Sequence, residues 1–583
     1  MIENPSAIAR LQRALRGGGE RHLVAAALVI GVLSGLGAAV LVKLIDFFAR
    51  ALPAAAPGCR PPAWIIFVPA AGGLLVGPIV TRAAPETRGH GVPEVMLAVA
   101  RFGGKIRARV AALKALASAI SIGSGGSAGR EGPIVQIGSA VGSTVGDALG
   151  ASADLRRMLV ACGAAGGIAA SFNTPIAGVV FALEIVLRDF AGRAFATVVI
   201  ASVTASVVAR SLLGASAFYE VPGSYTMGSA PELLAYAALG VLAALTARLF
   251  IETLYRLEDA FERLPIPASL LPALGGLLLG LLAYFRPEVL GTGHEPIEQA
   301  LHGQLALGVL AVLVVAKILA TSFTLGSGGS GGVFAPSLFV GAMLGGAFGH
   351  VVDLLFPRLG VQPGAFAVVG MGAVFAGSTW AALSAILVLF EMTRSYGLIL
   401  PMMLSCVTAV VTAKRLAPDT IYTRKLLRRG IRVDGPAPTP LAGILVRDVM
   451  TRSVQTIDSR MPLPDLLRRI EASGHSGFPV LDPEGRLEGI VSYGELRDAM
   501  SRAGEIRERL VAADVMRPAG ASISPEANLE EAVQLMRAAG VRRLPVVDPE
   551  RPGALLGIIT SADVVTSLAR LGAGAAESAA RTT

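Results

Sequence analysis

Cysteine is nearly absent from this chain, and charged residues are scarce. Three cysteines, Cys59, Cys162 and Cys406, occur among 583 residues. They lie far apart in the sequence, and an odd number cannot pair fully within one chain, so we assign them no disulfide or metal chemistry. Charged residues make up 16% of the sequence and hydrophobic residues 53%. This balance excludes an ordinary soluble protein and predicts a polytopic α-helical membrane protein.

The apolar runs are irregular in length. Several are shorter than the roughly 20 residues that a perpendicular membrane span needs, and glycine or proline interrupts many of them. Irregular backbone at membrane depth survives only where protein or a water-filled cavity shields it. The 69 glycines therefore predict broken or re-entrant helices that line a pathway. The runs cover residues 23–42, 63–80, 194–213, 233–249, 270–284, 305–321, 365–390 and 398–412.

Basic residues gather beside the membrane segments and account for much of the formal net charge of +9. Basic residues flank membrane spans on the cytoplasmic side, so we predict a cytoplasmic N-terminus (residues 1–21), a cytoplasmic C-terminal part and no nucleic-acid partner. The first apolar run is long and lacks a small-residue cleavage site, so it is predicted as a retained span in contact with lipid. The basic residues before the first run are Arg10, Arg13, Arg16 and Arg21, and those after the last are Arg424, Lys425, Arg428, Arg429 and Arg432.

The segment Gly129–Pro133, with the sequence Gly-Arg-Glu-Gly-Pro, predicts the start of a helix, because proline suits the first helical turn. The first N–H groups of a helix have no partners within it, and the helix dipole adds partial positive charge, so this end attracts an anion. Glu131 lies at that point. Its carboxylate either occupies the anion site when charged and leaves it when protonated, or only stabilises the helix N-terminus.

Two further segments share the G-x-x-x-P frame, Gly89–Pro93 and Gly332–Pro336. Three glycine-led helix starts in one membrane protein can converge on one ligand, each offering unpaired N–H groups. The sequence therefore predicts an anion pathway.

The chain also contains an internal repeat. The run beginning at Gly163 ends at Glu184, and a similar run beginning at Gly370 ends at Glu391. The offset between these runs is close to that between Gly129 and Gly332. The halves at about 22–215 and 230–415 are therefore predicted to be repeats. The letters leave open whether the halves are inverted. Inverted halves would bring both glycine-rich starts to the bilayer midplane.

These segments, together with the Ile421-Tyr422 pair, resemble the CLC family of chloride channels and chloride/proton exchangers. The resemblance implies a CLC-type inverted-repeat fold over residues 22–432 and a homodimer with one anion pathway per subunit. It also implies that Glu131 is the external gating and proton-carrying glutamate. The residues implied at the anion site are His90, Gly91, Val92, Arg130, Gly132, Val333, Phe334, Ala335 and Tyr422. Taken alone, Tyr422 is better explained as an interfacial aromatic residue at the end of the last membrane segment.

Two positions depart from the family pattern. His90 stands where the family usually has serine; it either donates to the anion through a ring nitrogen or is a neutral, buried histidine. The choice of chloride over nitrate stays open for that reason. Ile185 stands where exchangers commonly have a second glutamate after the one matching Glu184, and isoleucine cannot carry a proton.

Ile185 favours chloride-selective, channel-like conduction gated by Glu131. The alternative is a proton-coupled chloride antiporter in which water replaces the missing carboxylate. Glu184 and Glu391 are predicted to be buried carboxylates that accept hydrogen bonds from backbone N–H groups or face the subunit interface.

Beyond residue 432 the composition changes to a Pro-rich linker (433–443), two similar α/β units (444–502 and 510–570) and a tail (571–583) predicted to be disordered. The two units resemble a cytoplasmic tandem pair of CBS domains, in which a hydroxyl and an aspartate hold the ribose of an adenine nucleotide. Thr560 and Asp563 match this pattern. In the first unit Ser492 is followed by Glu495 instead. A bound ATP, ADP or AMP and a ligand-free dimerising scaffold are both open, and no other cofactor is required.

Two other classes of membrane protein also carry CBS pairs. An intramembrane metalloprotease needs H-E-x-x-H, but in the nearest segment, which begins at His294, the fifth residue is Glu298, and Pro296 is predicted to oppose a helix there. A magnesium transporter needs acidic clusters, whereas glycine-rich helix N-termini repel cations. The sequence therefore predicts neither an enzyme nor a metal site.

Overall fold

A computed structural model describes residues 20–52, 63–190, 192–214, 218–222, 225, 230–431, 441, 444–473, 475, 477–502, 509–549, 551 and 553–569. The chain divides into two compact units, residues 1–434 and 435–583. Cys59, residues 1–19, the tail and all of the linker except Leu441 lie outside the described residues. The domain boundaries drawn from the sequence stay predictions.

The first unit is helical. Its first half contains α1 (Glu20–Ala51), α2 (Val68–Pro78), α3 (Val92–Arg101), α4 (Arg109–Gly123), α5 (Glu131–Ala148), α6 (Ala153–Phe172), α7 (Pro175–Phe181) and α8 (Gly192–Leu213). Its second half contains α9 (Glu232–Glu262), α10 (Leu271–Phe285), α11 (His294–Leu301), α12 (Leu307–Gly326), α13 (Phe334–Leu355), α14 (Pro363–Thr379), α15 (Ala382–Thr393), α16 (Ile399–Leu416) and α17 (Thr423–Arg428).

Seven helical segments within the described part of the chain are long and apolar enough to cross a membrane. Shorter apolar helices lie between them, at Pro175–Leu187, Leu271–Phe285, Pro363–Thr379 and Ala382–Thr393. The predicted polytopic, broken-helix architecture is confirmed.

The predicted apolar run 365–390 is two helices. Trp380 adopts a left-handed conformation with φ +60° between α14 and α15. Asn173, also at φ +60°, separates α6 from α7 in the same way. A residue in this conformation ends a helix, so each half contains a broken helix at the corresponding place.

Paired glycines let two helices touch in each half. A Cβ at Gly163 on α6 would lie 1.9 Å from the carbonyl oxygen of Gly138 on α5. A Cβ at Gly370 on α14 would lie 2.3 Å from the carbonyl oxygen of Gly341 on α13. Small residues allow such backbone contact between membrane helices. The same contact in both halves supports the internal repeat.

The second unit contains small sheets and short helices. Strands β1 (Ile457–Asp458), β2 (Gly477–Leu481), β3 (Leu487–Ser492) and β4 (Arg517–Pro518) form one sheet in that order, and β5 (Arg543–Val547) pairs with β6 (Leu555–Thr560). Strands β1 and β2 pair in parallel, whereas β2 with β3, β3 with β4, and β5 with β6 pair antiparallel. The helices are α18 (Val446–Val449), α19 (Leu463–Glu471), α20 (Tyr493–Arg502), α21 (Ala512–Val515) and α22 (Leu529–Ala539).

The two hairpins of the second unit follow the same plan. Phe478 pairs with Val491 in β2–β3, and Leu544 pairs with Ile559 in β5–β6. Each pair is buried in a separate apolar cluster against a preceding helix. The predicted α/β repeat is confirmed.

We predict that Gly163→Ala destabilises the first unit by about 1–3 kcal/mol, since the added methyl group must push two packed helices apart. Gly308→Ala is the matched control, because a Cβ at Gly308 meets no atom within 4 Å. Thermal unfolding of both variants in detergent measures the effect. Equal midpoints for the two variants would contradict close packing at the α5–α6 crossing.

Candidate functional site

Two backbone hydrogen bonds join the starts of α5 and α13. The Gly129 N–H donates to the carbonyl of Gly332 at 2.8 Å, and the Gly332 N–H donates back at 2.6 Å. The third glycine-led segment joins them, because the Gly89 N–H donates to the carbonyl of Gly329 at 3.0 Å. The structure therefore brings the three predicted helix starts together.

Glu131 is the first residue of α5 and is 2% exposed. Its Oε2 accepts a long hydrogen bond, 3.4 Å, from the N–H of Ala335 in the first turn of α13. A Cβ at Gly129 would lie 1.8 Å from the same oxygen, so the carboxylate fills the space that this glycine leaves. The carboxylate thus lies where two helix N-termini meet, a position that favours negative charge.

Aromatic rings and Arg130 pack around the place where these two helix N-termini meet. The ring of Phe334 lies 5.1 Å from that of Phe172 and 4.4 Å from that of Phe375. Arg130 donates to the carbonyl of Ser171 at 3.0 Å, and its guanidinium lies 5.1 Å from the ring of Phe218. Val333 is the N-cap residue of α13. The start of α13 is consequently packed on apolar rings, and the Ala335 N–H in its first turn points toward Glu131.

His90 and Tyr422 lie on another side of the same helix starts. His90 is 4% exposed, and its ring centre lies 6.5 Å from that of Tyr422. A Cβ at Gly132 would lie 2.0 Å from the carbonyl oxygen of His90. Gly91, with φ +81°, turns the chain into α3 at Val92. Tyr422 is 2% exposed, so it is a buried residue and not an interfacial aromatic.

Several polar atoms near His90 are buried without a partner in the described part of the chain. They include Nδ1 of His90 and Oε1 of Gln136. Oε1 of Gln136 lies beside Gly91, since a Cβ there would be 3.0 Å away. Buried polar atoms of this kind are normally satisfied by water or a ligand.

Ile185 lies in the π-helical turn Ala182–Leu187 and is 5% exposed, within the apolar core. The neighbouring Glu184 accepts hydrogen bonds from the N–H and hydroxyl of Ser384 at 2.7 and 2.6 Å. Glu391 accepts from the N–H groups of Ile176 and Ala177 at 3.1 and 2.7 Å. The predicted backbone bonding of both glutamates is confirmed, although each is only partly buried. Each one binds the N-terminal turn of the broken helix in the opposite half.

Two buried lysines were missed in the sequence. Lys114 donates to the carbonyls of Thr87 and Gly89, at 2.9 and 2.7 Å. Lys317 donates to the carbonyls of Val289 and Gly291, both at 2.9 Å. Both lysines are 0% exposed. A lone lysine in an apolar helix was the available signal, because intramembrane charges are rare and retained for a purpose.

The loop held by Lys317 leads to a fourth glycine-led helix start, at Gly293 before α11. The expectation that Pro296 opposes a helix here was wrong. Proline is tolerated in the first helical turn, where its missing N–H is not needed. The described residues contain no group of three or more potential metal ligands.

Beside α11 lies a cavity of about 270 Å³, here called the His294 cavity, which reaches Glu131. Its lining includes Arg130, Glu131, Phe218, Tyr219, Thr292 and His294.

In the second unit, two hydroxyl–carboxylate pairs have the same geometry. Asp563 accepts from the N–H and the hydroxyl of Thr560, both at 2.8 Å. Glu495 accepts from the N–H of Ser492 at 3.0 Å and also from its hydroxyl. Burial raises the pKa of Glu495, but these hydrogen bonds outweigh burial and hold it below its ordinary value. Glutamate at this position therefore preserves the contact that aspartate makes in the second repeat.

Comparison with known proteins decides the family. Residues 72–414 match the sequence model described as voltage gated chloride channel. The chain belongs to this CLC family. Residues 446–502 and 511–570 each match the CBS domain, so the predicted combination of a CLC unit with a tandem CBS pair is confirmed. Membership of a family of channels and transporters replaces the metalloprotease and magnesium-transporter alternatives.

This CLC protein resembles several named relatives. It is 39% identical to a putative chloride channel protein ClcB-like of Ralstonia nicotianae, over 62% of this chain and 85% of that protein. It is 35% identical to the H(+)/Cl(-) exchange transporter ClcA of Vibrio parahaemolyticus, over 61% of this chain and 77% of that protein.

Solved structures give the same fold. A slow cyanobacterial Cl-/H+ antiporter, 29% identical, matches with TM-score 0.62 over 70% of this chain and 97% of its own. A eukaryotic CLC transporter, 22% identical, matches in fold with TM-score 0.61 over 95% of this chain and 98% of its own. The CLC fold is thereby confirmed. The roles of individual site residues in this CLC protein stay predictions.

We predict that Lys317→Met destabilises the CLC unit by about 1–3 kcal/mol, because it leaves two buried carbonyls without a donor. Lys114→Met costs less, since Ser330 and Gly331 still donate to the carbonyls that Lys114 binds. Lys105→Met, at an exposed position, is the control. Thermal unfolding of the three variants should rank them in this order, and any other order would contradict the assigned role of Lys317.

Proposed function

We propose that this protein is a chloride/proton antiporter in which the Glu131 carboxylate and chloride compete for the same position. The observation that carries the proposal is the contact between the Glu131 carboxylate and the Ala335 N–H, 3.4 Å long. One donor site serves either anion. Relatives named H(+)/Cl(-) exchange transporters and a Cl-/H+ antiporter support antiport more strongly than the channel-like conduction inferred from Ile185.

The mechanism follows from this competition. The charged carboxylate occupies the N-terminus of α13 and excludes chloride. Protonation removes its charge and weakens its hold on the N–H group, so chloride takes its place. Backbone N–H groups and helix dipoles bind chloride without a full positive charge, which lets the anion leave again. Val333, Phe334 and Gly132 provide the neighbouring backbone, while Arg130 anchors the start of α5.

His90 and Tyr422 form the inner part of the proposed pathway. Both lie beside the basic end of α17, where Lys425 and Arg429 contact Glu94 at 3.4 and 2.9 Å. The positive-inside rule places this side of the protein in the cytoplasm and the Glu131 side outside. The protein would lie in a bacterial inner membrane with both termini on the cytoplasmic side. The Tyr422 hydroxyl and the His90 ring would contact the anion here.

The proposed inner proton route uses water in place of a carboxylate at Ile185. The unpartnered atoms of His90 and Gln136 support it, because they offer buried positions where water would be held. The proposal includes a homodimer with one pathway per subunit. Apolar side chains exposed on α8 and α16, such as Val207 and Val407, are available for that contact or for lipid.

We predict that Glu131→Gln abolishes proton movement, because the amide cannot exchange a proton, while chloride still passes. The protein is placed in liposomes loaded with chloride, a potassium ionophore is added, and chloride efflux and external pH are recorded together. The unmodified protein should drive protons opposite to chloride, against their own gradient.

Glu295→Gln is the control, because it removes an exposed carboxylate from the same side and should leave coupled exchange unchanged. Chloride efflux from the unmodified protein with no proton movement would refute antiport and restore the channel interpretation. Proton movement that persists in Glu131→Gln would refute the role of Glu131 but leave antiport standing.

We further propose that the CBS pair binds an adenine nucleotide, with Asp563 and Thr560 holding the ribose. The pairing at Ser492 and Glu495 supports a second, similar position. Arg543, the first residue of β5, lies against Gly477, the first residue of β2, since a Cβ at Gly477 would be 1.5 Å from its Nη1. The positive charge of Arg543 suits a phosphate group. Coupling to transport would require different nucleotide affinity in different transport states.

We predict that Asp563→Ala weakens binding of ATP, ADP or AMP by at least about tenfold, because a hydrogen bond to a charged group contributes about 1.5–3 kcal/mol. Calorimetric titration of the full-length protein measures this, with Asp548→Ala as a control in the same repeat. If the unmodified protein releases no heat with any of the three nucleotides, the CBS pair is a scaffold without this ligand.

A further inference from the structure

We propose that His294 is the external proton-exchange residue of the antiporter, passing protons between bulk water and Glu131 through the His294 cavity. The inference rests on the proposed antiport and extends it to the residue that loads and unloads the gate. It also gives a function to the His-Glu-Pro-Ile-Glu segment at the start of α11.

His294 lies between the external solution and Glu131. His294 and Glu131 line the same cavity of about 270 Å³. Water occupies about 30 Å³ per molecule in the liquid, so the cavity has room for a short bridge of water between them. The His294 side chain is 44% exposed, whereas Glu131 is 2% exposed. His294 therefore contacts both bulk water and the cavity, and Glu131 reaches only the cavity.

The imidazole ring is held in place on two sides. It stacks on the ring of Tyr219 with centres 4.8 Å apart and meets the edge of Phe218 at 5.2 Å. Its Nε2 lies 3.4 Å from Oε1 of Glu298, one helical turn further along α11. A carboxylate at this distance stabilises the protonated ring. The ring is thus oriented and has a counter-charge when it carries a proton.

Titratable groups from three segments surround His294. Glu298 lies on α11, Arg130 and Glu131 lie at the start of α5, and Tyr219 lies in residues 218–222. Burial lowers the pKa of His294; Glu298 opposes this shift and Arg130 adds to it. The net shift of the pKa is downward, so the ring loses its proton more readily than an ordinary histidine. Histidine both accepts and donates protons in its role as an acid–base group.

The proton transfer balances without any further reactant. The imidazolium gives its N–H proton to a water molecule in the cavity, and that water gives a proton to the Glu131 carboxylate. The imidazole, now neutral, takes a proton from a hydronium ion of the external solution, which becomes water, and the ring regains its positive charge. The same steps in reverse unload Glu131 to the outside.

The test is His294→Gln in the liposome assay, with external pH varied. Coupled exchange should slow by about tenfold near neutral pH, a smaller loss than is usual for general acid–base groups because water in the cavity still conducts some protons. The chloride-to-proton ratio should stay unchanged, and the rise in rate on mild acidification should flatten. His302→Gln, an exposed histidine that follows the same helix, should behave as the unmodified protein.

Two variants separate proton transfer from simple attraction of anions. His294→Arg keeps a positive charge but cannot release a proton, so it should be as slow as His294→Gln. Recovery of the normal rate in His294→Arg would overturn the proposal. In the Glu131→Gln background, adding His294→Gln should leave chloride flux unchanged, because His294 acts through Glu131. A further change in chloride flux would also overturn it.

The assay distinguishes failure of this inference from failure of antiport. If the unmodified protein moves chloride without protons, antiport is overturned and His294 loses its role with it. If the unmodified protein moves protons and His294→Gln has the same rate and pH profile, only the role of His294 is overturned.

Discussion

The two hydrogen bonds between Gly129 and Gly332 are the constraint on which the rest of the site depends. They join the starts of α5 and α13, which belong to different halves of the chain, with no side chain between them. Any side chain at Gly332 would lie 2.8 Å from the N–H nitrogen of Gly132. The close approach turns two separate helix N-termini into one site, and Glu131 occupies it because its backbone starts one helix while its carboxylate reaches the other.

A site built from backbone donors needs its surrounding carbonyls to be occupied elsewhere. Lys114 and Lys317 do this in the two halves, each binding two carbonyls of the loop that precedes a glycine-led helix. The ammonium groups hold these loops in shape and keep their oxygens bonded away from the anion. The positive charge therefore acts on the backbone that shapes the site, and N–H groups remain available to the transported ion.

The helix starts at Glu131, Val92 and Phe334 could be predicted from sequence because glycine and proline determine local backbone geometry. The break at Trp380 could not, since a bulky residue adopts a left-handed conformation only where its tertiary surroundings hold it there; at Asn173 the residue type was an available signal, because asparagine adopts this conformation more readily. The start of α11 was missed because its proline follows the leading glycine by three places, one fewer than in the other copies. The contact of Glu131 with Ala335 and the cavity beside His294 depend on how distant segments pack, which no local pattern encodes.

Glu184 and Glu391 exchange partners across the two halves. Glu184 binds the start of α15, and Glu391 binds the start of α7. Neither half satisfies the N–H groups of its own broken helix; each one completes the other. Such reciprocal capping is the arrangement that two identical chains would adopt around a two-fold axis. The contact therefore fastens the two halves to each other at two equivalent places, so a change at either glutamate acts on the broken helix of the other half.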